Sequence, residues 1–259
     1  MEKTRRLGNL LKSDGKALIV AMDHGTNAGA PKGLVNPAEA IAKVKAGGAD
    51  AVIVNYGVAR QFAKELVGLG LILRMDLSPT MLGKGHDSTL IFGVKEALQL
   101  GADAVIVNGG PGVGVEEKTL PNIARITSEC AEWGMPVIGE MSPGGFDSDP
   151  EIRTLENIKL GARIACELGC DMIKTIFKPG FRDVVEACSV PVVVLGGAKT
   201  NDDVAFLASI KEALDEGAAG VAIGRNVWGH SDPERMTKAL NALIHKNATL
   251  EEATAILKK

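Results

Sequence analysis

Gly48-Ala49-Asp50-Ala51-Val52-Ile53-Val54-Asn55 returns unchanged as Gly101-Ala102-Asp103-Ala104-Val105-Ile106-Val107-Asn108. Two looser copies follow, GCDMIKTI at 169–176 and GAAGVAIG at 217–224. Each copy opens on a glycine and runs into short apolar, β-favouring residues. That is the pattern of a helix closed by a left-handed glycine cap with a strand just beyond it. Recurrence along one chain predicts a fold assembled from repeated strand–helix units.

Outward from these four copies, strands are expected at 17–23, 51–56, 71–75, 104–108, 136–140, 172–177, 191–195 and 220–224. Residues 36–47, 87–100, 117–133, 154–168, 202–215 and 232–246 carry apolar residues at helical spacing, and shorter helices are expected near 58–66 and 180–188. Continuous apolar strands alternating with helices imply a parallel sheet covered on its outer face. Eight such units without a composition break predict a single-domain α/β fold, a (β/α)8 TIM barrel over 1–259. A short N-terminal helical segment (about 1–14) and a C-terminal helix (about 250–259) flank it. A doubly wound sheet is the alternative.

The repeat makes one residue conspicuous. Its sixth position holds Ile53, Ile106, Lys174 and Ala222. The fourth, sixth and eighth positions share one strand face, which also carries Ala51, Gly220 and Gly224, small residues suited to a barrel interior. Lys174 is therefore expected to point inward. A lysine there is desolvated or paired, and an amine kept out of water is more readily neutral and nucleophilic. The plainer reading is a structural lysine in a buried ion pair.

Barrel enzymes place their chemistry at the C-terminal ends of the strands, and the polar residues follow that rule. Asp23 and His24 close the first strand, Asn55 and Tyr56 the second; Arg74 and Asp76 lie on the third, Asn108 ends the fourth, and Glu140 and Ser142 the fifth. Asp23 is the expected partner of Lys174, able to pair with the ammonium or an iminium and move protons, or else it caps the first loop. His24 binds substrate oxygen or holds the loop. Gly196-Gly197, with Lys199 close behind, and Gly224-Arg225 follow strands seven and eight, where barrels bind phosphate on backbone N–H groups. The loop Pro143–Arg153, rich in Gly, Asp and Pro, is a candidate lid. Gly110-Pro111-Gly112-Val113-Gly114 lacks dinucleotide-loop spacing.

Bulk composition narrows the function. Net charge is −3 and aromatic residues make up 3%, so neither nucleic acid nor an anionic membrane is an expected partner. The start of the chain reads as no signal peptide, its apolar stretch being broken by Lys12 and Asp14. Cys130, Cys166, Cys170 and Cys188 show no metal or redox spacing and read as reduced thiols of a cytoplasmic protein. His24, His86, His230 and His245 are scattered, so a metal site is not expected, and no cofactor is called for.

The order of Ala21-Met22-Asp23-His24-Gly25, Asp171-Met172-Ile173-Lys174-Thr175, Val192–Lys199 and Gly224-Arg225-Asn226-Val227-Trp228 resembles the archaeal-type class I fructose-bisphosphate aldolases and the wider DeoC/LacD-like aldolase group, over nearly the whole chain. That group includes 2-amino-3,7-dideoxy-D-threo-hept-6-ulosonate synthase and a thiolase acting on phosphorylated autoinducer-2. The resemblance implies a Schiff base on Lys174, an acid/base role for Asp23, and phosphate at Gly196, Gly197, Gly224 and Arg225. It also implies a small phosphorylated carbonyl substrate and a homo-oligomer of pentameric rings or a decamer. One motif departs: where aldolase and synthase members carry Tyr-Pro-Arg-Gly, this chain has Ser142-Pro143-Gly144-Gly145. Glu140, Ser142 and Tyr56, the only tyrosine, are the candidates to replace the missing proton donor. Aldol chemistry is the leading expectation. A lysine-dependent thiolase or transferase on a phosphorylated diketone, to which Lys174-Thr175-Ile176-Phe177 looks closer, and a barrel binding flavin mononucleotide or another phosphate stand beside it.

Overall fold

In a computed structural model, residues 3–83, 88–146 and 148–258 are described. Eight parallel strands close into a barrel: β1 (Ala17–Ala21), β2 (Ala51–Val54), β3 (Gly70–Arg74), β4 (Ala104–Gly109), β5 (Val137–Met141), β6 (Met172–Thr175), β7 (Val192–Leu195) and β8 (Gly220–Ile223). Each strand pairs with its sequence neighbours, and β1 completes the ring by pairing with both β2 and β8.

Around the ring lie α2 (Gly25–Ala28) to α12 (Pro233–His245), with α1 (Thr4–Leu10) before it and α13 (Leu250–Lys258) after. The main helices are α3 (Pro37–Ala46), α7 (Glu116–Ala131), α8 (Leu155–Glu167), α10 (Asp203–Asp215) and α12, with shorter α4 (Tyr56–Gln61), α5 (Ala63–Leu66), α6 (Val94–Gln99), α9 (Arg182–Glu186) and α11 (Arg225–Trp228) between. No helix among the described residues is long and apolar enough to cross a membrane.

Strand alternation divides the core in two. Leu18, Val20, Val52, Val54, Val105 and Val107 face the helices. Ile19, Ala51, Ile53, Ile72, Ala104, Ile106, Ile138, Met172, Val193 and Ala222 fill the barrel interior. Leu10 of α1 joins the inner cluster, so α1 plugs the N-terminal end. Gly70 permits this approach, since a Cβ there would sit 2.7 Å from Asn9 O and from Leu10 Cδ2.

The repeat has a physical reading in three dimensions. Its first residue, Gly48, Gly101, Gly169 or Gly217, lies at positive φ and ends the preceding helix. Its third residue reaches across to a neighbouring strand. Asp50 accepts from Leu18 N at 2.7 Å, Asp103 from Leu71 N at 2.9 Å and Asp171 from Val137 N at 2.8 Å. The same aspartates hold the plug: Lys3 reaches Asp171 at 2.8 Å and Asn9 Nδ2 reaches Asp103 at 2.6 Å. The repeated motif thus fixes the closed end and leaves the other for chemistry.

Three expected helices are corrected. The one expected at 87–100 begins only at Val94, because Thr89–Leu90 pairs antiparallel with Asp76–Leu77 and Gly93 caps the helix through Glu96; residue 87 and His86 lie outside the described residues. The one near 58–66 breaks at Phe62, whose backbone is non-helical. The one near 180–188 is a single turn.

Candidate active site

β5 and β6 run in register so that Glu140 lies beside Lys174, and β4 places Asn108 beside Glu140. All three follow inward-facing residues, Ile106, Ile138 and Met172, by one strand repeat. On β3 the same alternation carries Gly70 and Ile72 to Arg74, also inward. Asp23 arrives from the turn after β1, where Asn55 Nδ2 donates to its carbonyl at 2.6 Å. Four charged side chains thus converge at the open end of an otherwise apolar cylinder.

Arg74 organises them. Its Nε donates to Asp23 Oδ2 at 2.7 Å, its Nη1 to Asn108 Oδ1 at 2.9 Å and to Asp76 Oδ1 at 3.3 Å, and its Nη2 to Glu140 Oε2. The other oxygen of Glu140 is ion-paired with Lys174 Nζ. The expected direct Asp23–Lys174 pair is therefore replaced: Glu140 holds the amine, and Arg74 links the two carboxylates. Burial is nearly complete, with side-chain exposures of 6% for Lys174, 4% for Glu140 and 8% for Arg74.

These contacts set the charge states. Burial pushes Asp23 up, but the Arg74 and Lys174 charges outweigh it and hold the carboxyl at about 2. Glu140 is likewise pushed up by burial and drawn below its ordinary value by Lys174 and Arg74. Asp76 goes the other way. Burial raises it beyond what Arg74, Ser88 and Asn108 N–H recover. His24 is lowered, chiefly by burial, so its imidazole is neutral near pH 7.

A cavity of about 100 Å³ opens on this cluster, lined by Asp23, His24, Arg74, Asn108, Glu140 and Lys174 together with Asn27, Ser78 and Phe146. Phe146 belongs to the loop Pro143–Arg153, which is held by Ser148 Oγ on Pro143 O and Gly145 O and by Arg153 on Phe146 O; residue 147 lies outside the described residues. His24 stands edge-on to Trp228 at 5.1 Å, while Trp228 Nε1 donates to Ala21 O at 3.0 Å.

Two candidate proton donors fall elsewhere. Tyr56 starts α4 and stacks on Phe92 at 4.7 Å, and it does not line this cavity. Ser142 lies just past the end of β5; it shares the parity of Ile138 and Glu140 but is buried and also absent from the lining. Gly196, Gly197, Lys199, Gly224 and Arg225 sit at the rim, in the loops after β7 and β8. Asn226 joins those loops, donating to Gly196 O and Ala198 O and accepting from Thr200 N. Gly224 must lack a side chain, since a Cβ would lie 2.6 Å from His24 Cε1 and 2.7 Å from Ala21 O.

Sequence reasoning placed Arg74 and Asn108 at the C-terminal ends of their strands but gave them no role. The signal was the same inward parity that exposed Lys174. The four cysteines are unpaired, and burial pushes the Cys130, Cys170 and Cys188 thiols up to about 12.

Comparison with known proteins gives a consistent picture. A family model described as DeoC/LacD family aldolase matches residues 17–230. The 2-amino-3,7-dideoxy-D-threo-hept-6-ulosonate synthase 1 of Archaeoglobus fulgidus is 34% identical, the match covering 96% of this chain and 94% of that protein. The crystal structure of an archaeal fructose 1,6-bisphosphate aldolase superposes with a TM-score of 0.86 at 31% identity, over 95% of this chain and 100% of that one. A further archaeal fructose-1,6-bisphosphate aldolase, with its catalytic lysine covalently bound to the carbinolamine intermediate of its substrate, superposes at 0.84 with 32% identity, over 94% and 99%.

Proposed function

This chain belongs to the DeoC/LacD family of aldolases, and from that premise we propose that it makes or breaks a carbon–carbon bond in a small phosphorylated keto compound through a Schiff base on Lys174. The observation that carries the proposal is the Lys174–Glu140 ion pair facing the cavity at the open end of the barrel. A buried amine touching a carboxylate has its proton acceptor already in place.

In the proposed cycle the Lys174 ammonium passes a proton to Glu140, and the free amine adds to the substrate carbonyl. The carbinolamine loses water, taking a proton back from Glu140 on the departing hydroxyl, and leaves an iminium. The bond between the α and β carbons of the iminium then breaks; its electron pair neutralises the iminium to an enamine, and a carboxylate accepts the proton of the β-hydroxyl that becomes the released carbonyl. Protonation and hydrolysis of the enamine return the amine and the second product. Glu140, in direct contact with Nζ, is the proton shuttle. Asp23, ionised down to about pH 2, serves better as the fixed anion that favours the iminium. It takes this role in place of the proton-moving one that the resemblance implies.

Arg74 positions both carboxylates. It stays protonated because Glu140, Asp23 and Asp76 together outweigh the cost of its burial. Backbone N–H groups around Gly196, Gly197 and Gly224, with Arg225, are the proposed phosphate cradle, and binding there orients the carbonyl toward Lys174. Glu140 takes the proton-transfer work that the resemblance gives to the tyrosine replaced here by Ser142.

The test is the Lys174→Arg variant assayed on a panel of phosphorylated ketoses. Lys174→Arg keeps the charge but forms no imine, and it is expected to lose all turnover. Retention of aldehyde release by Lys174→Arg would remove the lysine from the mechanism.

A further inference from the structure

Asp76 is buried beside Arg74 in the cavity that contains Lys174, yet the proposed cycle gives it no step. Its carboxylate accepts from three sides. Oδ1 accepts from Arg74 Nη1 at 3.3 Å, and Oδ2 accepts from Asn108 N at 2.9 Å and from Ser88 Oγ at 2.6 Å. The Ser88 contact is as short as a hydroxyl makes to a charged carboxylate. Ser88 comes from outside the barrel: it immediately precedes Thr89–Leu90, the strand that pairs antiparallel with Asp76–Leu77.

The same hydroxyl acts on Asn108. A serine has one hydroxyl hydrogen to give, and here Asp76 takes it, so Ser88 Oγ meets Asn108 as an acceptor. Asn108 Nδ2 donates to it at 3.2 Å and to Ser78 Oγ at 2.8 Å. With its amide nitrogen held there, Asn108 turns Oδ1 to Arg74 Nη1 at 2.9 Å. Both acceptors of Arg74 Nη1 are thus oriented by one buried hydroxyl. The other guanidinium nitrogens hold Asp23 and Glu140, and Glu140 holds Lys174. The backbone near Ser88 is pinned separately: Ser88 O accepts from Asn122 Nδ2 at 2.9 Å, and Met75 O accepts from Ile91 N at 2.9 Å. Removing the hydroxyl alone leaves these anchors in place.

We propose that Ser88 is a positioning residue for the chemistry at Lys174: its hydroxyl sets Asp76 and the Asn108 amide, which together fix Arg74 against Glu140 and Asp23. The inference rests on the Schiff-base reading of Lys174, because what Arg74 positions there is the proton shuttle. Ser88 does not line the cavity, so its loss slows the reaction without removing a substrate contact. A second signature lies in pH. The charged groups facing Asp76 are Arg74 on β3 and Glu140 on β5. Burial raises the proton affinity of Asp76, Arg74 and the Ser88 hydroxyl lower it, and Glu140 raises it. Without the hydroxyl, Asp76 takes a proton at higher pH and weakens its hold on Arg74.

The experiment uses the intact protein with dihydroxyacetone phosphate as probe. Forming the enamine on Lys174 releases a proton from the carbon beside the carbonyl, and reversal takes a deuteron from heavy water. This exchange is followed by mass spectrometry across pH. Ser88→Ala should lower the saturated exchange rate about tenfold, the worth of one buried hydrogen-bonded hydroxyl, with the half-saturating concentration little changed. Its loss of rate toward acid should set in at higher pH than in the wild type. Ser88→Thr, which keeps the hydroxyl, should restore both rate and profile. Asp76→Asn should slow exchange to a similar degree, and adding Ser88→Ala to it should cost little more. A Ser88→Ala profile that superimposes on the wild type, a Ser88→Thr no better than Ser88→Ala, or full-rate exchange in Asp76→Asn overturns the positioning role while leaving the Schiff base standing. Absence in the wild type of both exchange and a borohydride-reduced adduct on Lys174 overturns the Schiff-base reading itself.

Discussion

Replacing Arg74 by leucine removes the cation that neutralises Asp23 and half of Glu140. The guanidinium makes four hydrogen bonds within the buried cluster, at 2.7 Å to Asp23, 2.9 Å to Asn108, 3.3 Å to Asp76 and a shorter one to Glu140. It is 8% exposed, so solvent screens little of the interaction. Removing one partner of such a buried set costs roughly 3–5 kcal/mol, because the remaining charges stay buried. The pH dependence identifies the cause. In the native protein the Asp23 carboxyl is held at about 2, below its unfolded value of about 3.9. Its contribution is therefore present above about pH 4 and is lost as pH falls through 2. In Arg74→Leu burial raises that carboxyl instead, and protonation relieves it. The stability gap in urea unfolding should be about 4 kcal/mol at neutral pH and about half of that at pH 4. The exposed pair Lys43–Glu39 on α3 is the control, where Lys43→Ala should leave the urea transition almost unmoved, since solvent screens the pair. A loss below about 1 kcal/mol for Arg74→Leu, or a gap that does not change with pH, would refute the view of Arg74 as the organising charge.

Other outcomes follow from the same contacts. Glu140→Gln keeps the shape beside Lys174 but takes no proton, so turnover should drop about 10²–10⁴-fold while fluorescence-monitored substrate binding changes little; unimpaired turnover would pass the shuttle role elsewhere. Gly224→Ala puts a methyl against Ala21 O and His24 and should lower stability by about 1–3 kcal/mol, read by thermal melting. A neutral melt would mean the rim relaxes freely. When protonated, His245 donates from both ring nitrogens, at 2.9 Å to Asp50 and 2.7 Å to Asp14; the Asp50 hydrogen bond, against burial, raises its proton affinity. Its stabilisation is complete below the unfolded value of about 6.5 and disappears as pH rises through the higher folded value. The gap between wild type and His245→Asn, roughly 1–2 kcal/mol at pH 6, should therefore close toward pH 9, and a gap that widens would reverse the assignment.

Much of this could be read directly from residues. The glycine that opens each repeat, the apolar run behind it and the parity of its sixth position located the strands and turned Lys174 inward. What could not be read were contacts between strands far apart in sequence. Glu140 and Lys174 are neighbours only because β5 and β6 pair in one register, and nothing local chooses Glu140 over Asp23 as partner of the amine. The role of Arg74 was hidden for a simpler reason: its strand lies outside the repeated motif, so no sister copy marked it as unusual. The 87–100 segment misled because Thr89 and Leu90 fit a helical apolar spacing, while the backbone there pairs with Asp76–Leu77. Tyr56 attracted attention as the only tyrosine, yet its ring is spent on Phe92.

The most direct measurement is peptide mapping after borohydride reduction of the protein with a phosphorylated ketose. The account predicts one stoichiometric adduct, on the peptide containing Lys174, and none in Lys174→Arg. An adduct on Lys199 at the rim, or on any other lysine with Lys174 unmodified, would contradict it.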